Sequence, residues 1–137
     1  MSRRFAEDTS VPVSRTQDEI KTRLRTAGAD RIAVYESDDN SAIAFSLGIG
    51  MYRITVPVDR NAKDAAQDQR RAWRLLGLLM KSKLEAVREG ATTVEREFLA
   101  DRLLHDGGTV GEWANEQLVI AHEQGSMPRN LLLGGPA

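Results

Sequence analysis

Residues 67–90, QDQRRAWRLLGLLMKSKLEAVREG, form the longest and most apolar helical pattern in the chain. Apolar side chains recur along it at steps of three and four, which places them on one face of a helix: Trp73, Leu76, Met80, Leu84 and Val87. A second stripe of Leu75, Leu79 and Ala86 widens the apolar arc beyond what a surface helix needs. We therefore expect this helix to be covered by a sheet on one side. C-terminal helices or a second copy of the chain would cover the other.

The opposite face of the same helix is polar and contains Gly77. Glycine inside a helix costs roughly 1 kcal/mol relative to alanine. Either another element packs closely at Gly77, or the chain tolerates the cost. Gly90 is a natural end for the helix, because glycine adopts left-handed backbone angles without penalty.

The composition is that of an ordinary globular chain. Its 137 residues suffice for one domain, with 41% hydrophobic and 28% charged residues. The net charge of -1 argues against strong non-specific binding of nucleic acid over the whole surface, but not against a local basic patch. No cysteine is present, and no apolar run approaches the roughly 20 residues of a membrane span. The N-terminus lacks the apolar core of a secretory signal, so we expect a cytoplasmic protein that binds no membrane.

Upstream of the long helix, residues 1–13 are predicted to form a mobile arm, and 14–137 a single domain. A first helix is expected over 16–27, and two residue pairs could form a capping box at its start: Thr16 with Glu19, and Ser14 with Gln17.

Three stretches, 31–36, 41–47 and 51–58, alternate apolar and polar residues and are joined by short turns. This pattern predicts an antiparallel three-stranded meander with one strongly apolar face. The long helix is the obvious cover for that face, so residues 14–90 form the predicted core.

Downstream, residues 91–137 are predicted to form a helical extension with two short helices. Each is expected to begin at a capping box, the first covering 93–105 and the second ending near Gln124: Thr92 with Glu95, and Thr109 with Glu112. The side chains expected to point inward are Val94, Phe98, Leu99, Leu103, Val110, Trp113, Leu118 and Ala121. The chain is thus predicted to be α+β, with an N-terminal helix, a three-stranded antiparallel meander, a long central helix packed on the sheet and two short C-terminal helices.

The C-terminal tail is too apolar to be left in water. We expect it to dock on its own domain or on a partner, and we predict a homo-oligomer. The candidate oligomer or partner contacts are Leu75, Leu79, Leu131, Leu132 and Leu133.

Residues able to support catalysis are few. His105 and His122 lie on or near helix ends, where a favourable interaction with the helix dipole explains a histidine without any chemistry. Metal-binding carboxylates are limited to Glu95, Glu97 and Asp101, and the chain has no phosphate-binding glycine loop or nucleophile elbow. We therefore expect no enzyme activity, no metal and no cofactor.

A basic stripe on the long helix is the main candidate for binding nucleic acid, because closely spaced cations can contact phosphates. Asp68, Glu85 and Glu89 offset part of this charge, so a solvated helix face is the alternative. Tyr35 is the best exposed aromatic residue for stacking on a base. The candidate nucleic-acid-binding residues are Arg70, Arg71, Arg74, Lys81, Arg88 and Tyr35.

Several motifs follow one another from residue 69 to the C-terminus: Trp73-Arg74, KSKLEAV at 81–87, GATT at 90–93, EREFLA at 95–100 and DGGTVGEW at 106–113. This run resembles a family of small proteins encoded by bacteriophages and prophages. The YRITVP strand end at 52–57 and the apolar ending at 127–133 are similar to that family more loosely. The resemblance implies a phage setting in a bacterial host cell, near recombination and replication functions. It assigns no catalytic residue.

Three hypotheses follow, in order of preference. The first is a non-enzymatic phage accessory protein that binds nucleic acid or the phage recombination or replication machinery. The second is an inhibitor that blocks a protein surface of a host antiviral defence complex, using acidic edges at Glu95, Glu97, Asp101, Glu112 and Glu116. The third is a small hydrolase that uses Glu95 and Glu97.

Overall fold

The computed structural model describes residues 6, 9–37, 39–59 and 61–125. In chain order, the elements are α1 (Val13–Thr26), β1 (Arg31–Glu36), β2 (Asn40–Leu47), β3 (Gly50–Pro57), α2 (Ala65–Arg88), α3 (Val94–Glu97), a 3₁₀ helix (Leu99–Asp101) and α4 (Val110–Gln124). This confirms the predicted α+β architecture. The predicted contacts Leu131, Leu132 and Leu133 lie outside the described residues. No helix of the described part is long and apolar enough to cross a membrane.

The three strands form one antiparallel sheet in the order β1-β2-β3. Its register pairs Phe45 with Ile32 on one side and with Tyr52 on the other. Alternate residues of a strand face opposite sides of a sheet, and residues paired directly across two strands face the same side. The side chains of Ile32, Phe45 and Tyr52 therefore share one face, here called the inner face. Its buried apolar residues are those predicted from the alternation: Ile43, Phe45, Leu47, Tyr52, Ile54, Val56 and Val58.

The long helix α2 covers the inner face of the sheet. Its buried apolar residues belong to the same core as the strands: Ala72, Trp73, Leu76, Met80 and Leu84. Asp64 caps the helix, because its side chain accepts a hydrogen bond from the backbone N of Gln67 at 3.0 Å. Of the two predicted oligomer contacts on α2, Leu75 packs partly buried against the core, whereas Leu79 is 38% exposed.

The helix α1 packs alongside α2, and the two approach closely at Gly77. A Cβ atom at Gly77 would lie 3.2 Å from Thr16 Cγ2 and 3.9 Å from Ile20 Cδ1. Gly77 therefore allows the two helices to pack closely. Both capping boxes predicted for α1 are wrong, because α1 begins after Pro12 with no side-chain cap. Thr16 is instead buried inside the helix, where its packing against α2 outweighs its preference for a cap position.

The segment after α2 contains less helix than predicted. Thr93, and not Thr92, caps α3, because its Oγ1 accepts a hydrogen bond from the backbone N of Arg96 at 3.2 Å. The predicted continuous helix over 93–105 is wrong, since α3 ends at Glu97 and a short 3₁₀ helix follows it.

Pairing with the sheet explains why that helix ends early. The backbone N of Leu103 donates to the carbonyl O of Met51 at 2.8 Å, so the chain extends along the free edge of β3. This hydrogen bond gives a partner to a backbone group of the edge strand β3 that a continuous helix would leave unpaired. Phe98 is buried as predicted, but Leu99 is 53% exposed, so the prediction that Leu99 points inward is wrong.

Candidate protein-interaction surfaces

Local contacts occupy the first part of the predicted basic stripe. Arg71 Nε forms an ion pair with Asp68 Oδ1 at 3.0 Å, and the two side chains are only 13% and 7% exposed. Asp68 Oδ2 also accepts a hydrogen bond from the backbone N of Asp59 at 2.6 Å. Arg70 donates to Gln67 Oε1 from Nε at 2.9 Å and from Nη2 at 2.7 Å. Arg70 and Arg71 therefore hold the start of α2 in place.

The rest of the stripe faces α1. Arg74 Nη1 forms an ion pair with Glu19 Oε2 of α1 at 3.2 Å. Lys81 and Arg88 are exposed and line a groove between α1 and α2, together with Arg23 of α1. Among the described residues, Arg23, Lys81 and Arg88 have no ion-pair partner. Two of the predicted cations thus share one surface, and a third cation joins them from α1.

The α1–α2 groove has a volume of about 750 Å³ and an apolar floor that includes Leu84, Val87 and Val94. Its rims carry charges of both signs: Arg15, Arg23, Lys81 and Arg88, against Asp18, Glu19 and Glu85. Glu19 is already paired with Arg15 at 3.7 Å and with Arg74 at 3.2 Å. This leaves three cations facing two carboxylates. A groove of this kind suits an amphipathic helix with carboxylates better than the uniformly negative backbone of a nucleic acid.

The helix α4 is well defined at both ends. The predicted cap is confirmed, because Thr109 Oγ1 accepts a hydrogen bond from the backbone N of Glu112 at 3.2 Å. Gly125 ends the helix with a φ of 72°, in the left-handed region that favours glycine. The helix lies close to the 3₁₀ helix, where a Cβ at Gly111 would come within 2.9 Å of the carbonyl O of Ala100.

Although well capped, α4 contributes little to the core. Ala121 is its only buried residue. Trp113 is 44% exposed and Leu118 is 45% exposed, so the prediction that these two side chains point inward is wrong. Val119 and Ile120 are exposed as well. The contacts of α4 with the chain are made by small residues, with Gly111 close to Ala100 and Ala121 buried.

Four exposed side chains of α4 lie within about one third of the helix circumference and define the α4 ridge: Trp113, Glu116, Ile120 and Glu123. The ridge is therefore apolar along one line and acidic along the next. Residues 110–124 include no Lys or Arg. Glu116 and Glu123 have no ion-pair partner in the described part of the chain.

Tyr35 lies apart from the other predicted nucleic-acid-binding residues. It is 60% exposed and lines a cleft of about 580 Å³ on the outer face of the sheet, together with Ala42 and Arg53. Arg53 donates from Nη1 to the carbonyl O of Gly107 at 3.0 Å and from Nη2 to Glu112 Oε1 at 3.2 Å. These bonds fix the start of α4 at the outer face, whereas the groove cations lie on the helical layer that covers the inner face.

Two of the three carboxylates considered for catalysis, those of Glu97 and Asp101, lie near Lys83. Lys83 Nζ donates to the carbonyl O of Glu97 at 3.0 Å and lies 5.3 Å from the ring centroid of Phe98. Burial raises the pKa of Asp101, while Lys83 acts to lower it and Glu97 to raise it further. Glu95 is exposed. Among the described residues, no group of three or more His, Asp or Glu side chains could hold a metal ion.

Two features of these surfaces were missed in the sequence. Arg15 and Arg23 lie off the apolar stripe of α1, and only the packing of α1 against α2 brings them beside Lys81 and Arg88. The seven-residue spacing of Trp113 and Ile120 was a signal for the α4 ridge. The helix has a second apolar pattern, through Leu118 and Ala121, that is equally regular, so the spacing alone did not identify the ridge.

Comparisons with protein-family models, with curated proteins and with solved structures find no match for this chain. The two surfaces are therefore interpreted from their own shape and charge. Both are more typical of contacts between proteins than of a catalytic centre.

Proposed function

We propose that this chain is a non-enzymatic protein-binding protein whose α4 ridge docks on another protein. The observation that carries the proposal is the exposure of Trp113 and Ile120 on one face of a helix of 15 residues. An isolated helix of this length is marginally stable in water. Adjacent exposed apolar side chains of this size typically mark an interaction site.

The resemblance to proteins of phages and prophages suggests where the partner would be found. A component of the phage recombination or replication machinery is the first candidate. A surface of a host antiviral defence complex, blocked by this protein, is the alternative. The carboxylates of Glu116 and Glu123 beside the apolar side chains favour a partner with a basic rim around an apolar pocket in either case.

The test compares three tagged baits in a bacterial lysate. They are the parent chain, the ridge variant Trp113→Ser/Ile120→Ser, and the matched control Ile49→Ser. Ile49 is 85% exposed at the turn between β2 and β3, so its loss removes a similar apolar side chain elsewhere. A partner should be recovered by the parent and by the control. It should bind the ridge variant at least about thirtyfold more weakly, because a central tryptophan commonly contributes about 2 kcal/mol. If the recovered proteins are the same for all three baits, the proposal is wrong.

Binding of nucleic acid in the α1–α2 groove is a second candidate function, favoured by the unpaired cations Arg23, Lys81 and Arg88. The assay is fluorescence anisotropy with labelled single-stranded and duplex DNA, titrated with salt. Three phosphate contacts predict a slope of log K against log salt of about -2 to -3. The variant Lys81→Glu/Arg88→Glu should lose binding, and the exposed-loop control Lys63→Glu should keep it. Absence of binding at low salt would remove this candidate.

A further inference from the structure

The two candidate surfaces of this chain are complementary to each other. The α4 ridge is apolar at Trp113 and Ile120 and acidic at Glu116 and Glu123. The α1–α2 groove has an apolar floor, and its three unpaired cations exceed the two carboxylates that remain, Asp18 and Glu85. Each surface therefore offers what the other lacks.

The dimensions of the two surfaces also match. Lys81 and Arg88 are seven residues apart on α2, and Glu116 and Glu123 are seven apart on α4. At 1.5 Å per residue, both pairs of charges are spaced by roughly 10 Å along their helices. The groove runs beside α1 from Arg15 to Ala27, or roughly 18 Å, and a helix of 15 residues is about 22 Å long.

The position of α4 prevents it from filling its own groove. The Arg53–Glu112 ion pair of 3.2 Å anchors the start of α4 at the outer face of the sheet. The groove opens on the helical layer formed by α1 and α2, which covers the inner face. Because α4 starts on the opposite side of the sheet from the groove, its ridge can meet a groove only in a different copy of the chain.

We propose that the α4 ridge of one copy docks in the α1–α2 groove of the next copy. This inference rests on the proposed function, since it names the partner of the ridge as a second copy. The contact joins two different surfaces, so it is heterologous, and each copy still has one surface available. Repetition produces a ring or a filament, in contrast to the closed two-fold dimer that an isologous contact forms.

The decisive experiment measures molar mass by light scattering for the full chain and two variants. The groove variant is Lys81→Glu/Arg88→Glu, and the ridge variant is Trp113→Ser/Ile120→Ser. The parent chain should grow beyond a dimer as its concentration rises, whereas each variant alone should remain a monomer. An equal mixture of the two variants should form a dimer and nothing larger, because it contains one intact ridge and one intact groove per pair.

Controls separate a lost contact from a lost fold. Circular dichroism and urea unfolding should match the parent for both variants. Reversing the charges on both sides in one chain, by adding Glu116→Lys/Glu123→Lys to the groove variant, should restore assembly. If the charge-reversed chain stays monomeric while the folded parent assembles, the assignment of these charges is overturned.

The remaining outcomes distinguish this inference from the proposed function. A parent that is monomeric at high micromolar concentration overturns the inference, and the proposed function stands if protein capture still depends on the ridge. A ridge variant that assembles and captures proteins like the parent overturns both. A monomeric parent whose groove variant loses DNA binding assigns the groove to nucleic acid and overturns the inference.

Discussion

Replacing Gly77 by alanine tests the close packing of α1 on α2, the two helices that form the α1–α2 groove. The added Cβ would lie 3.2 Å from Thr16 Cγ2, closer than an ordinary carbon–carbon contact of about 3.5–4.0 Å. Alanine gains roughly 1 kcal/mol in helix propensity over glycine. The few tenths of an ångström by which α1 must move correspond to the lower end of overpacking costs, about 1 kcal/mol. The two effects offset each other, so Gly77→Ala alone should barely change the free energy of unfolding.

A double-mutant cycle separates the two effects. Thr16→Ser removes the methyl group that the new Cβ would meet. In that background, Gly77→Ala should raise the free energy of unfolding by about 1 kcal/mol, giving a coupling energy of about 1 kcal/mol. Urea unfolding followed by tryptophan fluorescence measures all four chains of the cycle. If Gly77→Ala has the same effect in both backgrounds, Thr16 and Gly77 are not in contact. The close packing of α1 on α2 at Gly77 is then refuted.

Three further perturbations test the interior. The buried Oγ1 of Thr16 has no hydrogen-bond partner in the described part of the chain, so Thr16→Val should raise the free energy of unfolding by about 1 kcal/mol in urea titrations. Asp68→Ala leaves Arg71 without its buried partner and should lower the same quantity by about 3 kcal/mol; an unchanged urea midpoint would argue against this ion pair. Burial raises the pKa of Asp101 in the folded state, so stability is lost as pH rises through that raised pKa. Asp101→Asn should therefore gain in stability over the parent as the pH rises from below 3.8, the ordinary pKa of this carboxyl, to neutral pH in thermal unfolding, and a constant difference would contradict this.

Hydrophobic periodicity was enough to predict the core. The strands alternate strictly, so their boundaries agree with the structure to within one residue, and the stripe from Trp73 to Leu84 is the buried face of α2. These patterns are reliable because one face of each element is buried against a single core. Gly77 was recognised as unusual, but its partner Thr16 became evident only from the packing of α1 on α2.

The sequence was less informative where tertiary contacts override local preference. Thr16 has the residue type and spacing of a helix cap, yet burial against α2 places it inside α1. Backbone pairing of Leu103 with the edge of β3 ends a helix that the local pattern would continue. In α4, large apolar side chains of both patterns, Trp113 and Leu118, are exposed, because the contacts of this helix with the chain are made by small residues such as Gly111 and Ala121.

The candidate surfaces were only partly predictable for the same reason. A stripe of cations along α2 is visible in the sequence, and so is its partial compensation by Asp68, which pairs with Arg71. The sequence does not reveal that Glu19 of α1 pairs with Arg74. The groove is lined by residues from two helices that lie about 60 residues apart in the chain, and no local sequence pattern predicts that these helices pack together. The phage setting and the identity of any partner stay predictions.

The docking of the α4 ridge in the α1–α2 groove can be tested most directly by cysteine crosslinking, because the chain contains no cysteine of its own. One variant carries Thr22→Cys in the groove, a second carries Gln117→Cys beside the ridge, and a control carries Ile49→Cys at the distant turn. With a short bismaleimide, the first two variants should form a crosslinked dimer when mixed, and neither should do so alone. A chain with both substitutions should give a ladder of oligomers. If the mixture of groove and ridge variants crosslinks no more than the mixture of ridge and control variants, the ridge does not occupy the groove.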